Sequence, residues 1–102
     1  MNVESCQLEP SSIALGESTS LIVTLDSPAP PEGQEIAISS DMNGAADTFV
    51  SIPEGIPVHA GDIAAEFVLR TQATDNPATS ATFYASVIGG EAKSGKLDIN
   101  IS

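Results

Sequence analysis

Three oxygen-bearing side chains lie close together around a glycine near the middle of the chain. They are Asp41, Asn43 and Asp47, with Gly44 between the last two. Carboxylate and amide oxygens at this spacing are the ligands that Ca²⁺ takes in calcium-binding loops. The segment matches only half of such a loop, because it lacks the further acidic ligands and the closing bidentate glutamate. Since Asp-x-Asn-Gly is also an ordinary turn sequence, a turn over residues 41–44 is favoured, with calcium at these three side chains as the alternative.

The chain offers little for nucleophilic or zinc chemistry. It contains one cysteine, Cys6, and one histidine, His59. A zinc site needs three or four ligands, and a Cys–His nucleophile pair needs a third group that orients the base. A reactive thiol also needs a neighbouring cation, and the first Lys or Arg in the chain is Arg70. We therefore expect Cys6 to be a small apolar residue of the first strand, and we predict no enzymatic activity.

Tyr84 is the one aromatic residue whose position indicates a binding surface. It alternates with Thr82 and Ser86, so the three side chains share the outward face of one predicted strand. A flat face that combines an aromatic ring with hydroxyl groups is typical of carbohydrate binding, although such platforms usually present several aromatic rings. The alternative is a tyrosine of the sheet surface that packs on a cross-strand neighbour.

The charge of the chain is strongly acidic and unevenly distributed. The net charge is −11, and residues 1–69 carry 11 acidic residues and no Lys or Arg. The remaining residues carry three acidic and three basic side chains. Nucleic acid and anionic membranes would be repelled, so neither is an expected partner. The acidic surface favours solubility, and its functional alternatives are attraction of cations or of a basic partner.

Turn residues alternate with short β-rich runs along the whole chain, at the spacing of a small antiparallel β-sandwich. Residues 18–25 show the period of two most clearly, with Leu21, Val23 and Leu25 on one face. A Pro- and Gly-containing segment, residues 53–61, is expected to be irregular. The predicted strands are 3–8 (interrupted at Pro10 and resumed at 12–15), 18–25, 34–39, 48–52, 62–71, 79–88 and 91–101.

The length of 102 residues predicts one domain, residues 1–102. The longest apolar runs are three residues, whereas a membrane span needs about 20, so no membrane insertion is expected. The first residues do not form a signal peptide, because they have neither a basic region nor an apolar core. The chain is then either cytoplasmic or part of a longer exported protein.

Four stretches resemble a bacterial immunoglobulin-like domain, the type found on bacterial surface proteins and phage virions. They are residues 25–30, residues 36–40, residues 52–61 followed by 67–69, and residues 83–90. The resemblance implies a seven-stranded antiparallel immunoglobulin-like β-sandwich with Greek-key connections. It brings no catalytic residues, because members of the family serve as spacers, adhesion modules or capsid decorations.

We therefore expect a non-catalytic structural or adhesion module of a bacterial surface or phage protein. The resemblance implies a monomeric domain, in tandem with similar domains, at the cell surface as part of a longer chain. Its partners would be a protein or a surface glycan. One alternative is a small ligand-binding module for carbohydrate or calcium, and another is a stand-alone acidic protein that binds a protein partner.

Overall fold

Alternation of apolar and polar side chains gives each central strand one buried face. In the computed structural model, which describes residues 2–44 and 48–100, Leu21, Val23 and Leu25 are fully buried on one strand. Ala81 and Phe83 are buried in the same way on another. The strands are β1 (Val3–Glu9), β2 (Ser12–Ala14), β3 (Ser18–Leu25), β4 (Gln34–Met42), β5 (Gly55–Val58), β6 (Ala64–Arg70), β7 (Ser80–Ser86) and β8 (Lys93–Asn100). The described residues contain no α-helix, and therefore no helix that could cross a membrane.

The strands form two sheets, which face each other across the core. One sheet has the order β1-β3-β6, and the other has the order β2-β8-β7-β4-β5. The chain changes sheets between β1 and β2, so that β2 lies beside β8 and runs parallel to it. The expectation of seven purely antiparallel strands is therefore wrong, because there are eight strands and the larger sheet is mixed. The physical reason is that β2 continues in the direction of β1, and this is also the direction of β8.

Two predicted segments differ from the structure. Residues 48–52 do not form a strand, and their one ladder contact is an isolated bridge between Phe49 and Thr71. Instead, β5 lies inside the segment that was expected to be irregular, with Pro57 in its ladder. An edge strand tolerates a proline because only one of its sides must donate hydrogen bonds, and β5 pairs only with β4.

The core lies between the sheets and is built mainly from aliphatic side chains. At its centre, Phe49 and Phe83 pack edge to face, with their ring centroids 5.5 Å apart and their planes at 86°. β1 passes close over β8. A Cβ atom on Gly95 would lie only 2.6 Å from the carbonyl oxygen of Cys6, so this position requires a glycine.

The chain enters and leaves at opposite ends of the sandwich. Val3 pairs with Leu25 at one end of β3, whereas Asn100 pairs with Ala14, just before the turn that leads into the other end of β3. We call the end that holds Asn2 and residues 26–33 the entry end, and the end that holds residues 15–17 and Asn100 the exit end. The molecule measures 45 × 20 × 17 Å along its principal axes.

Candidate functional site

The structure places two of the three predicted calcium ligands. Asp41 is exposed and lies within β4, where it pairs with Thr82, so the strand extends through the first two residues of the predicted turn. Asn43 follows the strand, and its Oδ1 atom accepts hydrogen bonds from the backbone N–H groups of Thr79 at 2.8 Å and Ser80 at 3.3 Å. Asp47 lies outside the described residues. The side chain of Asn43 therefore fastens the end of β4 to the start of β7.

A shallow depression of about 360 Å³ lies beside these residues, lined by Asp41, Met42, Asn43, Ser80 and Thr82. The Asp41 carboxylate and the hydroxyl groups of Ser80 and Thr82 supply it with oxygen atoms suited to a hard cation. The Asn43 oxygen already accepts two backbone hydrogen bonds. Within residues 2–44 and 48–100, no three His, Cys, Asp or Glu side chains come together as a metal-binding group. The described residues thus supply one carboxylate and some hydroxyl groups, which is less than a full calcium site.

Tyr84 lies near the middle of the outer face of the five-stranded sheet, and its side chain is 37% exposed. Its cross-strand partners are Ser39 on β4 and Ser94 on β8. Both directly opposite residues are small and carry hydroxyl groups, so the sheet surface beside the ring bears hydroxyl groups. This is the surface that the sequence indicated, and carbohydrate binding at Tyr84 stays a prediction.

Cys6 and His59 lie in different surroundings. Cys6 is buried, and its Sγ–H group donates a hydrogen bond to the carbonyl oxygen of Phe83 at 3.7 Å. Burial raises the pKa of this thiol from 9.0 to about 11, although a backbone hydrogen bond from Gly95 opposes the shift. His59 is exposed and follows β5 on the larger sheet. Cys6 is therefore a protonated thiol of the core at neutral pH, and its hydrogen bond goes to the backbone.

A network at the entry end was not visible in the sequence. The backbone N–H of Asn2 donates to the Asp26 carboxylate at 3.0 Å, and the N–H of Asp26 donates to the Asn2 carbonyl at 3.0 Å. The hydrogen bond from Asn2 lowers the pKa of the Asp26 carboxyl group. Nearby, Ala29 exchanges backbone hydrogen bonds with residues 61 and 62. These bonds fix the first residues and the proline-rich loop to the body of the sandwich.

The exit end is tied in a similar way. The Thr71 hydroxyl donates to the carbonyl oxygen of Glu17 at 2.6 Å and accepts from the N–H of Gly16 at 2.8 Å. The N–H of Leu15 donates to the carbonyl oxygen of Asn100 at 2.9 Å. Thr71 is buried, so its hydroxyl must find partners, and the turn between β2 and β3 provides them. Both ends of the chain are thus anchored by hydrogen bonds between segments distant in sequence.

No family model matches the sequence, and no curated protein matches it. The apo form of the Calx CBD1 domain is structurally similar, with a TM-score of 0.60 and 11% identity over 96% of this chain and 99% of that chain. The calcium binding domain CBD12 of CALX1.1 has a TM-score of 0.56 and 12% identity over 93% of this chain and 44% of that chain. The superoxide reductase (neelaredoxin) from Ignicoccus hospitalis has a TM-score of 0.53 and 12% identity over 99% of this chain and 83% of that chain.

At identities this low, these likenesses establish the fold and nothing more. The Calx CBD domains are immunoglobulin-like β-sandwiches, and the present chain superimposes on one of them over almost its full length. The protein is therefore an all-β immunoglobulin-like sandwich. Proteins with very different activities share this fold, so the function has to be inferred from the geometry of this chain.

Proposed function

We propose that the chain is a non-catalytic structural module, which spaces or presents neighbouring parts of a larger bacterial surface or phage protein. The observation that carries this proposal is the position of the chain ends. The first described residue, Asn2, lies at the entry end, and the last, Asn100, lies at the exit end. The eight residues of β3 run between the entry end and the exit end, which corresponds to about 24 Å of extended chain. A module with this geometry passes the polypeptide from one end to the other and adds its length to the assembly.

The hydrogen bonds at the two ends support the same proposal. A spacer has to fix the direction in which the chain enters and leaves, because a loosely attached terminus would let its neighbours swing. Here Asn2 is tied to Asp26 at the entry end, and Asn100 is tied to Leu15 at the exit end. The net charge of −11 would also limit non-specific association between neighbouring modules.

The size and location of the native product test this proposal. Antibody raised against the chain is applied to fractionated source cells and to virions shed from them. We expect a band far above 10.4 kDa in the envelope or virion fraction. A soluble band near 10.4 kDa would contradict the spacer proposal. It would favour a stand-alone acidic protein instead, whose partner would then be sought by affinity capture.

A second candidate function is calcium binding, which is supported by the structural likeness to a protein described as a calcium binding domain. The hypothesis rests on Asp41, which is exposed beside the hydroxyl groups of Ser80 and Thr82 in the depression. The missing ligands would have to come from Asp47 or from water. Unlike the spacer function, calcium binding requires that the stability of the folded protein change when the metal is added.

Thermal unfolding with millimolar Ca²⁺ tests the second candidate, because a ligand that binds only the folded state raises the melting temperature. We expect Ca²⁺ to raise the melting temperature. Mg²⁺ at the same ionic strength should not reproduce this rise, and Asp41→Asn should abolish it. Glu35→Gln is the matched control, because Glu35 lies six residues earlier on the same face of β4 and is also exposed. An equal response to both metals, or equal effects of the two variants, would exclude a calcium site at Asp41.

A further inference from the structure

The pair Asn43–Gly44 has a chemistry that neither of the proposed functions uses. Among the asparagines of the chain, only Asn43 is followed by a glycine. In such a pair, the backbone nitrogen of the glycine can attack the side-chain carbonyl carbon of the asparagine, because a glycine has no Cβ atom that hinders the approach. Asparagine is accordingly among the thermolabile residues of proteins.

The packing at the end of β4 requires both residues of this pair. The Oδ1 atom of Asn43 accepts hydrogen bonds from the backbone N–H groups of Thr79 at 2.8 Å and Ser80 at 3.3 Å. Its Nδ2 atom donates to the Thr79 hydroxyl at 2.5 Å. Gly44 lies directly against the chain that leads into β7, since a Cβ atom there would be 2.7 Å from the backbone nitrogen and Cα of the buried Ala78. A reactive sequence therefore results from two separate structural needs.

We call the three hydrogen bonds from the Asn43 side chain to Thr79 and Ser80 the corner clamp. The reaction requires the Asn43 amide to turn towards the nitrogen of Gly44, whereas the clamp holds both its oxygen and its nitrogen on residues 36 and 37 positions further along the chain. Asn43 is exposed, so hydrogen bonding rather than burial restrains it. Its amide becomes free to react when this corner of the fold opens locally.

We propose that Asn43 is a site of spontaneous modification, and that opening of the corner clamp controls its rate. In the first step, the nitrogen of Gly44 loses its proton and bonds to the Cγ atom of Asn43, and the side-chain nitrogen leaves as ammonia. The product is a succinimide ring. Water then adds to either carbonyl carbon of the ring and opens it to aspartate or isoaspartate. Water is the only co-reactant, and no electrons are exchanged.

Either product changes the corner between β4 and β7. A carboxylate replaces the amide, so the donor that now bonds to the Thr79 hydroxyl is lost, and a negative charge is added beside Asp41 in the depression. In isoaspartate the backbone also passes through the former side-chain carbon, and the added atom displaces Gly44 from its contact with Ala78. The extent of modification therefore records how often the corner has opened, and it does not depend on the spacer function or on a bound metal.

Peptide mass mapping of aged protein tests the proposal. The whole chain is incubated at mildly alkaline pH, either folded or unfolded in urea, and the conversion of each asparagine is followed after digestion at acidic pH. In the unfolded chain, Asn43 should react faster than the other asparagines. In the folded protein it reacts only from the open population, so its rate should be lower by about tenfold or more. Equal rates of Asn43 in the two states, or faster conversion of another asparagine in urea, would overturn the proposal.

A pair of variants assigns the restraint to the corner clamp. Thr79→Val removes the hydroxyl group that accepts from Asn43 and keeps the backbone N–H that donates to it. Loss of this one hydrogen bond should raise the rate in the folded protein by about fivefold. Thr24→Val is the matched control, because it makes the same exchange on β3, in the other sheet, and it should leave the rate unchanged. Equal effects of the two variants on the folded protein, including no effect of either, would contradict control by the clamp.

Discussion

Cys6 shows how burial determines the behaviour of a side chain that is reactive in water. The thiol is enclosed between the sheets and donates its hydrogen to a backbone carbonyl. Its thiolate would lose hydration without gaining a positive neighbour, so the neutral form is favoured and the pKa rises to about 11. The residue therefore acts as part of the core and carries no chemistry at neutral pH.

This shift predicts a specific loss of stability at alkaline pH. The folded state holds the thiol proton more tightly than the unfolded chain, whose pKa is near 9.0. The stabilisation is fully present below the unfolded value and disappears as the pH rises through the folded value. At about pH 10.5 the wild type should have lost about 2 kcal/mol of unfolding free energy that Cys6→Ala does not lose. Urea unfolding of both proteins at about pH 8 and pH 10.5 measures this difference, and parallel losses would contradict it.

Gly95 determines how closely the sheets approach. A methyl group there would meet the carbonyl oxygen of Cys6 at 2.6 Å, and neither backbone can move without disturbing its ladder. Gly95→Ala should therefore destabilise the protein by about 1–3 kcal/mol, as other overpacked cores do. Gly55→Ala is the control, because the atom nearest to its new methyl group is the end of the flexible Glu35 side chain, at 2.7 Å. Chemical denaturation should separate the two variants, and similar losses would show that the sheets can move apart at little cost.

At the scale of elements, the sequence predicted the long strands and the short β2, but it missed β5. β3 was predicted with its observed bounds, Ser18–Leu25, because eight alternating residues define a period of two. β5 has only four residues, one of them a proline, so alternation could not identify it. The parallel partner of β2 was equally hidden, because pairing between Ile13 and Ile99 depends on contacts between the two ends of the sequence.

The candidate site could likewise be predicted only in part from the sequence. The spacing of Asp41 and Asn43 predicted that they lie close together, and both line one depression. The role of Asn43 was not predictable, because its hydrogen-bond partners are Thr79 and Ser80, 36 and 37 residues away. The outward position of Tyr84 followed from alternation, whereas the small size of its neighbours depended on the register between three strands.

At the scale of the whole molecule, the proposed function depends on where the two ends of the chain lie more than on any single side chain. Between described residues, the ion pair of Lys96 with Asp98, at 3.8 Å, is exposed and contributes little to stability. Hydrophobic packing and the backbone ladders therefore hold the sandwich together. The entering chain and the departing chain lie at opposite ends of the sandwich, which is the basis of the spacer proposal.

The most direct test of that proposal is the distribution of distances between two small folded reporters, one fused to each end of the chain, measured by single-molecule energy transfer. A flexible linker of 102 residues would have a root-mean-square span of about 55 Å, close to the 45 Å long axis, so the width of the distribution discriminates better than its mean. We predict one narrow peak for the folded chain, and a much broader one for a glycine–serine linker of equal length. A distribution as broad as that of the linker, or a short distance with both reporters at one end, would contradict the account.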